Sequence, residues 1–201
     1  MILSEPIVNQ TYLALGDSYT IGEAVLPAES FPLQLQAALT LAKKPTLSPQ
    51  IIAKTGWTTG ELKAAIEEKR LTQKFDLVTL LIGVNNQYRG LSIDAYRLEF
   101  HELLQTAINF AYGDTKKVYV LSIPDWGVTP FASLNSRDQI AREIDAFNAV
   151  NKEETLKVGV TYVDITPISR LAATDLSLIA NDGLHPSGRM YAEWVKRILS
   201  L

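Results

Sequence analysis

The chain has 201 residues, 47% of them hydrophobic and 20% charged, a balance that belongs to an ordinary globular domain and excludes a disordered one. With 19 Lys and Arg against 22 Asp and Glu the net charge is -3, so there is no bulk attraction to phosphate backbones or anionic lipid, and nucleic acid is not expected as a partner. Cysteine is absent, which removes disulfides, thiolate catalysis and the usual structural zinc sites. The longest apolar stretch, Phe75 to Val84, is interrupted by Asp76 and too short to span a bilayer, so no stable membrane insertion is expected. Met1 to Asn9 has neither a basic start nor a sustained apolar run. As given, the chain reads as cytoplasmic, and secretion would require a precursor segment already trimmed.

In chain order, the first strand-length apolar run is Tyr12 to Leu15, followed by the polar turn Gly16 to Gly22. Ser30 before Phe31-Pro32 opens a helix, and Gln50 to Ala53 forms the second strand. Thr58 with Glu61 three residues on opens the next helix, whose solvated end is Glu67-Glu68-Lys69-Arg70. Leu77 to Ile82 is the third strand, Ser92 with Asp94 starts a further helix, and Lys117 to Ile123 is the fourth strand. Ser136 with Gln139 starts a helix reaching about Lys157, in which Ile140, Ile144, Phe147 and Val150 make one buried stripe. Val160 to Val163 is the fifth strand, and a last helix follows His185. Strands alternating with crossover helices predict a parallel sheet covered on both faces. The fold class is α/β, a three-layer α/β/α sandwich formed by one domain over residues 1–201.

Four polar features fall where strands end. Ser18 follows the first strand and is either a helix N-cap or a nucleophile placed at the ligand-binding rim of an open sheet. Asp182 and His185 lie three residues apart in a turn. They are either turn and surface residues, or a carboxylate that orients an imidazole acting as a general base. Gly56 after the second strand and Asn85 after the third are either turn residues or donors of the kind a tetrahedral oxyanion needs. Placement of all four at the carboxyl ends of different strands favours the chemical alternative over coincidence.

These residues resemble the blocks of the SGNH or GDSL hydrolases. Gly16-Asp17-Ser18 with Gly22 matches the first block, Gly56 the second, Gly83-Val84-Asn85 the third, and Asp182 with His185-Pro186 the last. The resemblance implies a five-stranded sheet of order 2-1-3-4-5. It also implies a serine esterase in which Ser18 is nucleophile, His185 base and Asp182 its orienting partner. The oxyanion hole would then be the Ser18 and Gly56 amides with the Asn85 side chain. Asn86 departs from the pattern, which more often has Asp there, and this touches a supporting contact of the site. No cofactor or metal is expected. Lysophospholipids, acetylated sugars, thioesters and simple short-chain esters all fit as substrates. An acyltransferase using the same site is the first alternative, and a non-catalytic flavodoxin-like binding module is the second. Trp57, beside Gly56, and Trp126 are candidate pocket residues. The segment Pro124-Asp125-Trp126-Gly127 with Phe131 is either a lid or wall or a packed loop. His101 lies within a helical pattern, away from any strand end, and reads as a solvent-facing or core-edge ring.

Overall fold

The computed structural model describes residues 9–133 and 136–201. Strands β1 (Tyr12–Gly16) and β3 (Leu77–Leu81) are apolar at nearly every position, and every one of their residues is buried. A strand buried on both faces must be covered on both, the pattern of a parallel sheet. The sheet has the order β2-β1-β3-β4-β5, with β2 at Gln50–Ala53, β4 at Val118–Leu121 and β5 at Thr161–Val163, and every pair is parallel. Helices α2 (Phe31–Leu41) and α8 (Gly188–Leu199) pack together as one layer. Helices α3 (Thr59–Lys69), α5 (Ile93–Phe110) and α6 (Arg137–Lys157) lie side by side as the other. The short helices α1 (Ser18–Ile21), α4 (Val84–Tyr88) and α7 (Thr166–Arg170) each follow a strand.

The expected buried stripe of α6 is present, with Ile140, Ile144, Phe147 and Val150 all in the core. Thr58 and Glu61 form a reciprocal capping box on α3, and Ser92 Oγ accepts the Ala95 N–H at 3.4 Å on α5. The other two expected caps differ. Ser30 Oγ donates to Pro27 O at 2.9 Å and Ser136 Oγ to Ser133 O at 3.2 Å, so each hydroxyl closes the turn before its helix. A hydroxyl can donate as well as accept, and the preceding turn offers a carbonyl within reach. The fourth strand is also shorter than its apolar run, because Ile123 N–H leaves the ladder for Asn148 Oδ1 on α6, at 2.7 Å.

An aromatic cluster joins the α2/α8 layer to α1. Trp194 contacts Tyr191 edge-on at 5.0 Å between ring centroids, Phe31 at 6.2 Å and Tyr19 at 6.4 Å. Gly16 is where β1 pairs with Leu81 and the chain turns into α1. A β-carbon at residue 16 would overlap both Thr20 Oγ1 and the Leu81 carbonyl, so this crossing needs glycine for lack of room. Gly16→Ala is therefore expected to lower stability by about 1–3 kcal/mol, the usual cost of overpacking. Urea unfolding checks this, and an unchanged midpoint at constant slope would refute the crowding argument.

Candidate active site

The turn out of β1 is built by Asp17. Its Oδ1 accepts the Tyr19 N–H at 3.0 Å, so Asp17, not Ser18, is the N-cap of α1. Ser18 is the first residue inside the helix, and its hydroxyl is left for another partner. Gly22, left-handed with φ 78°, closes the turn by donating its N–H to Ser18 O. Asp17 is fully buried, and burial pushes its carboxyl up to about 7 against the opposing Tyr19 N–H bond. Its Oδ2 has no hydrogen-bond partner among the described residues.

The partner of Ser18 comes from the far end of the chain. His185 Nε2 lies 3.0 Å from Ser18 Oγ, and His185 Nδ1 lies 2.5 Å from Asp182 Oδ2. Asp182 Oδ1 also accepts the Leu184 and His185 N–H groups, both at 3.0 Å. Partial burial works against the Asp182 charge, yet the imidazole and the two N–H bonds outweigh it and hold this carboxyl below its ordinary range. The turn is pinned by Ala180 N–H to His185 O at 2.8 Å and by a bridge pairing Ile179 with Pro186. Tyr19 meets the imidazole edge-on at 5.7 Å, which limits the tilt of the ring.

Two strand-end segments complete the rim. Gly56, at φ 85°, follows β2, and Asn85 is in the first turn of α4 after β3. Asn85 Nδ2 donates to Trp57 O at 2.9 Å, while the Arg89 guanidinium donates to Gly56 O. Asn86, 1% exposed, accepts the Thr59 N–H at 3.0 Å and donates to Thr59 Oγ1 at 2.7 Å, so it supports the segment next to Gly56. The N–H groups of Ser18 and Gly56 have no acceptor among the described residues.

Ser18, Gly56, Asn85 and His185 line one cleft of about 180 Å³, walled by Tyr88, Trp126 and Phe131. Among the described residues, no Lys, Arg, Asp or Glu lines it. Trp126 is held firmly: its Nε1 donates to Gln87 Oε1 at 2.8 Å, and Gln87 in turn donates to Glu143 at 2.6 Å. The buried Asp125 beside it pairs with Arg170 at 2.9 Å and caps the Trp126 turn through the Gly127 N–H. Phe131 N–H donates to Gly183 O at 3.0 Å, tying this loop to the Asp182–His185 turn. Of the two candidate pocket tryptophans, Trp126 lines the cleft and Trp57 does not. The Trp57 ring packs on the core and only its carbonyl serves the site. His101 sits apart on α5, bonded through Nδ1 to Glu154 at 3.1 Å. No group of three or more potential metal ligands occurs among the described residues.

A family model described as GDSL-like Lipase/Acylhydrolase matches residues 14–193. The chain belongs to that family. Its fold is similar to the solved structure of TesA, with a TM-score of 0.74 at 18% identity over 95% of this chain and 97% of that one. A catalytic mutant of Axe2, an acetylxylan esterase from Geobacillus stearothermophilus, superposes with a TM-score of 0.74 at 19% identity, covering 97% and 95%. The lipase/acylhydrolase from Enterococcus faecalis gives 0.70 at 21%, covering 95% and 94%. No curated protein matches the chain by sequence.

Within this GDSL-family chain, sequence reasoning missed Tyr88, Leu184 and Tyr19 as lining residues and Asp17 as the cap. Tyr88 had a usable signal, since it lies three residues after Asn85 and a helix puts such positions on one face. Asp17 also leads to a test. Below its ordinary value of 3.8 the carboxyl is protonated whether folded or unfolded. As pH rises the unfolded chain gives up its proton first, so stability drains away until the folded group titrates near 7. Asn at this position keeps the acceptor for Tyr19 N–H and carries no charge. Asp17→Asn is therefore expected to raise Tm by several degrees over wild type at pH 8, with the gain fading toward pH 4. A gain that is equal at both pH values, or larger at pH 4, would contradict a charge penalty.

Proposed function

We propose that the protein is a serine hydrolase that cleaves uncharged carboxylic esters through an acyl-enzyme. The observation that carries this reading is the continuous chain Ser18 Oγ to His185 Nε2 at 3.0 Å and His185 Nδ1 to Asp182 at 2.5 Å, opening on the cleft that also holds Gly56 and Asn85. Ser18 Oγ attacks the ester carbonyl carbon while His185 Nε2 takes the hydroxyl proton. Asp182, kept ionised by its own hydrogen bonds, stabilises the imidazolium and fixes the tautomer. His185 then returns the proton to the departing alcohol oxygen. A water, deprotonated by the same imidazole, attacks the acyl carbon and frees Ser18.

The oxyanion of each tetrahedral intermediate is held by the free N–H groups of Ser18 and Gly56 and by the second amide hydrogen of Asn85, its first being bonded to Trp57 O. Apolar and aromatic walls without a charged side chain favour a neutral ester with an apolar substituent against Trp126, over a substrate that carries a phosphate. The small cleft favours short acyl groups. Membership of the family and a fold shared with an acetylxylan esterase support the same reaction type.

Hydrolysis of aryl esters from two-carbon to long acyl chains, with an acetylated sugar and a lysophospholipid alongside, is the direct test. Turnover is expected to be highest on the short neutral esters. Ser18→Ala should reduce it by several orders of magnitude, on the order of 10⁶ where one member of a triad is removed, with an unchanged circular dichroism spectrum. Retention of more than about a tenth of the activity would rule out Ser18 as nucleophile. Asn85→Ala is expected to lower kcat roughly 10² to 10³-fold, because its amide meets charge that exists only in the transition state. A change confined to KM would instead make Asn85 a ground-state binding residue.

A further inference from the structure

The two segments that carry the Gly56 and Asn85 donors belong to different strand ends and are laced together. Asn85 bonds Trp57 O, Arg89 bonds Gly56 O, and Asn86 makes two bonds to Thr59. The Asn86–Thr59 pair is the inaccessible part of this lacing, with Thr59 fully buried and Asn86 at 1% exposure. Its direction follows from donor and acceptor chemistry. A backbone N–H can only donate, so Asn86 Oδ1 must face Thr59 N, and Nδ2 must then donate to Thr59 Oγ1. The hydroxyl has a single proton, and it goes to the Glu99 carboxylate on α5. The three side chains therefore form a chain running one way, Asn86 to Thr59 to Glu99.

We propose that this one-way relay positions the oxyanion donors, and that Asn86 and Glu99 are positioning residues for the reaction at Ser18. The inference rests on the esterase reading above. Thr59 opens α3 three residues after Gly56, so the anchored amide and hydroxyl of Thr59 fix where Gly56 can sit, while Asn86 is joined by a peptide bond to Asn85. Glu99 dictates what residue 86 must be. Because Glu99 takes the only hydroxyl proton, residue 86 has to donate to Thr59 Oγ1. Aspartate there would be a second acceptor competing for that proton, with a second carboxylate across the hydroxyl from Glu99. Glutamine at position 99 would supply a donor and let the chain run in reverse, from residue 99 through Thr59 to an aspartate at 86.

The test is a cycle of Asn86→Asp, Glu99→Gln and the double variant, assayed on a short neutral aryl ester with Tm measured for each protein. Asn86→Asp is expected to lower kcat about tenfold or more with KM within about twofold, the signature of displaced transition-state donors. Glu99→Gln should cost less, since its amide oxygen still accepts from Thr59. The double variant should regain at least about fivefold in kcat over Asn86→Asp, a coupling of the size found for contacting residues. Independent, multiplicative losses, or an Asn86→Asp enzyme with wild-type kcat, would overturn the relay. Should wild type hydrolyse no ester, the esterase reading fails by itself. The same cycle read by Tm in a Ser18→Ala background then judges the hydrogen-bond relay alone: non-additive shifts support it and additive ones refute it.

Discussion

The strand-end features of the site, Ser18, Gly56 and Asn85, depend on the parallel register that sets Gly16 opposite Ala53 on one side and Leu81 on the other. That register brings β1, β2 and β3 to an end at the same level, so the turns that follow them share one rim. A parallel sheet forces each strand to leave by a long crossover, and the chain reaches this rim anew after every strand. The close crossing at Gly16 keeps the rim tight, because β1 and β3 meet there with no space for a side chain. Ser18, Gly56 and Asn85 are thus neighbours through backbone hydrogen bonding, before any contact between their side chains.

Close to this rim lie buried polar groups without partners among the described residues. Asp17 is buried beneath Ser18 with one oxygen unpartnered among the described residues, and so are Thr20 Oγ1, Tyr191 OH and Trp194 Nε1. Each such group costs stability when left without a partner. The surrounding aromatic packing of Tyr19, Phe31, Tyr191 and Trp194 offsets that cost by removing large apolar area from water. The contrast with α5 and α6 is instructive. There Glu154, less deeply buried than Asp17, meets Arg97, Lys157 and His101, and these partners outweigh its burial and hold its carboxyl at about 2. One buried carboxylate is fully compensated and the other is not, and the less compensated one lies next to Ser18.

The cleft wall follows a different logic from the rim. Tyr88 and Phe131 are more than half exposed, whereas Trp126 is pinned by Gln87 through its ring and by the Asp125–Arg170 pair through its turn. A single clamped indole between two looser rings gives the cleft one fixed surface and two adjustable ones. That arrangement suits recognition by shape and apolar contact, with orientation supplied by the hydrogen-bonding groups at Ser18 and Asn85.

The alternation of apolar runs with capped helical patterns determined the α/β class and the approximate limits of all five strands, because period and punctuation are local properties. The candidate site blocks were marked by the same local pattern: Ser18, Gly56 and Asn85 stand at strand ends, whereas Asp182 and His185 stand in a turn before α8, beyond α7, and not at the end of a strand as expected. Strand order was accessible only through family resemblance, since pairing between β1 and β3 joins residues more than sixty apart. Tertiary structure alone decided the roles that depend on which of several neighbours a polar group meets. It made Asp17 rather than Ser18 the cap and turned the Ser30 and Ser136 hydroxyls back on the preceding turns. It also placed Trp126 in the cleft and Trp57 outside it. Asn86 is the clearest case. Its sequence shows a polar residue after Asn85, but the requirement that it donate a hydrogen bond is set by Glu99, thirteen residues away on another helix, through the single proton of the Thr59 hydroxyl.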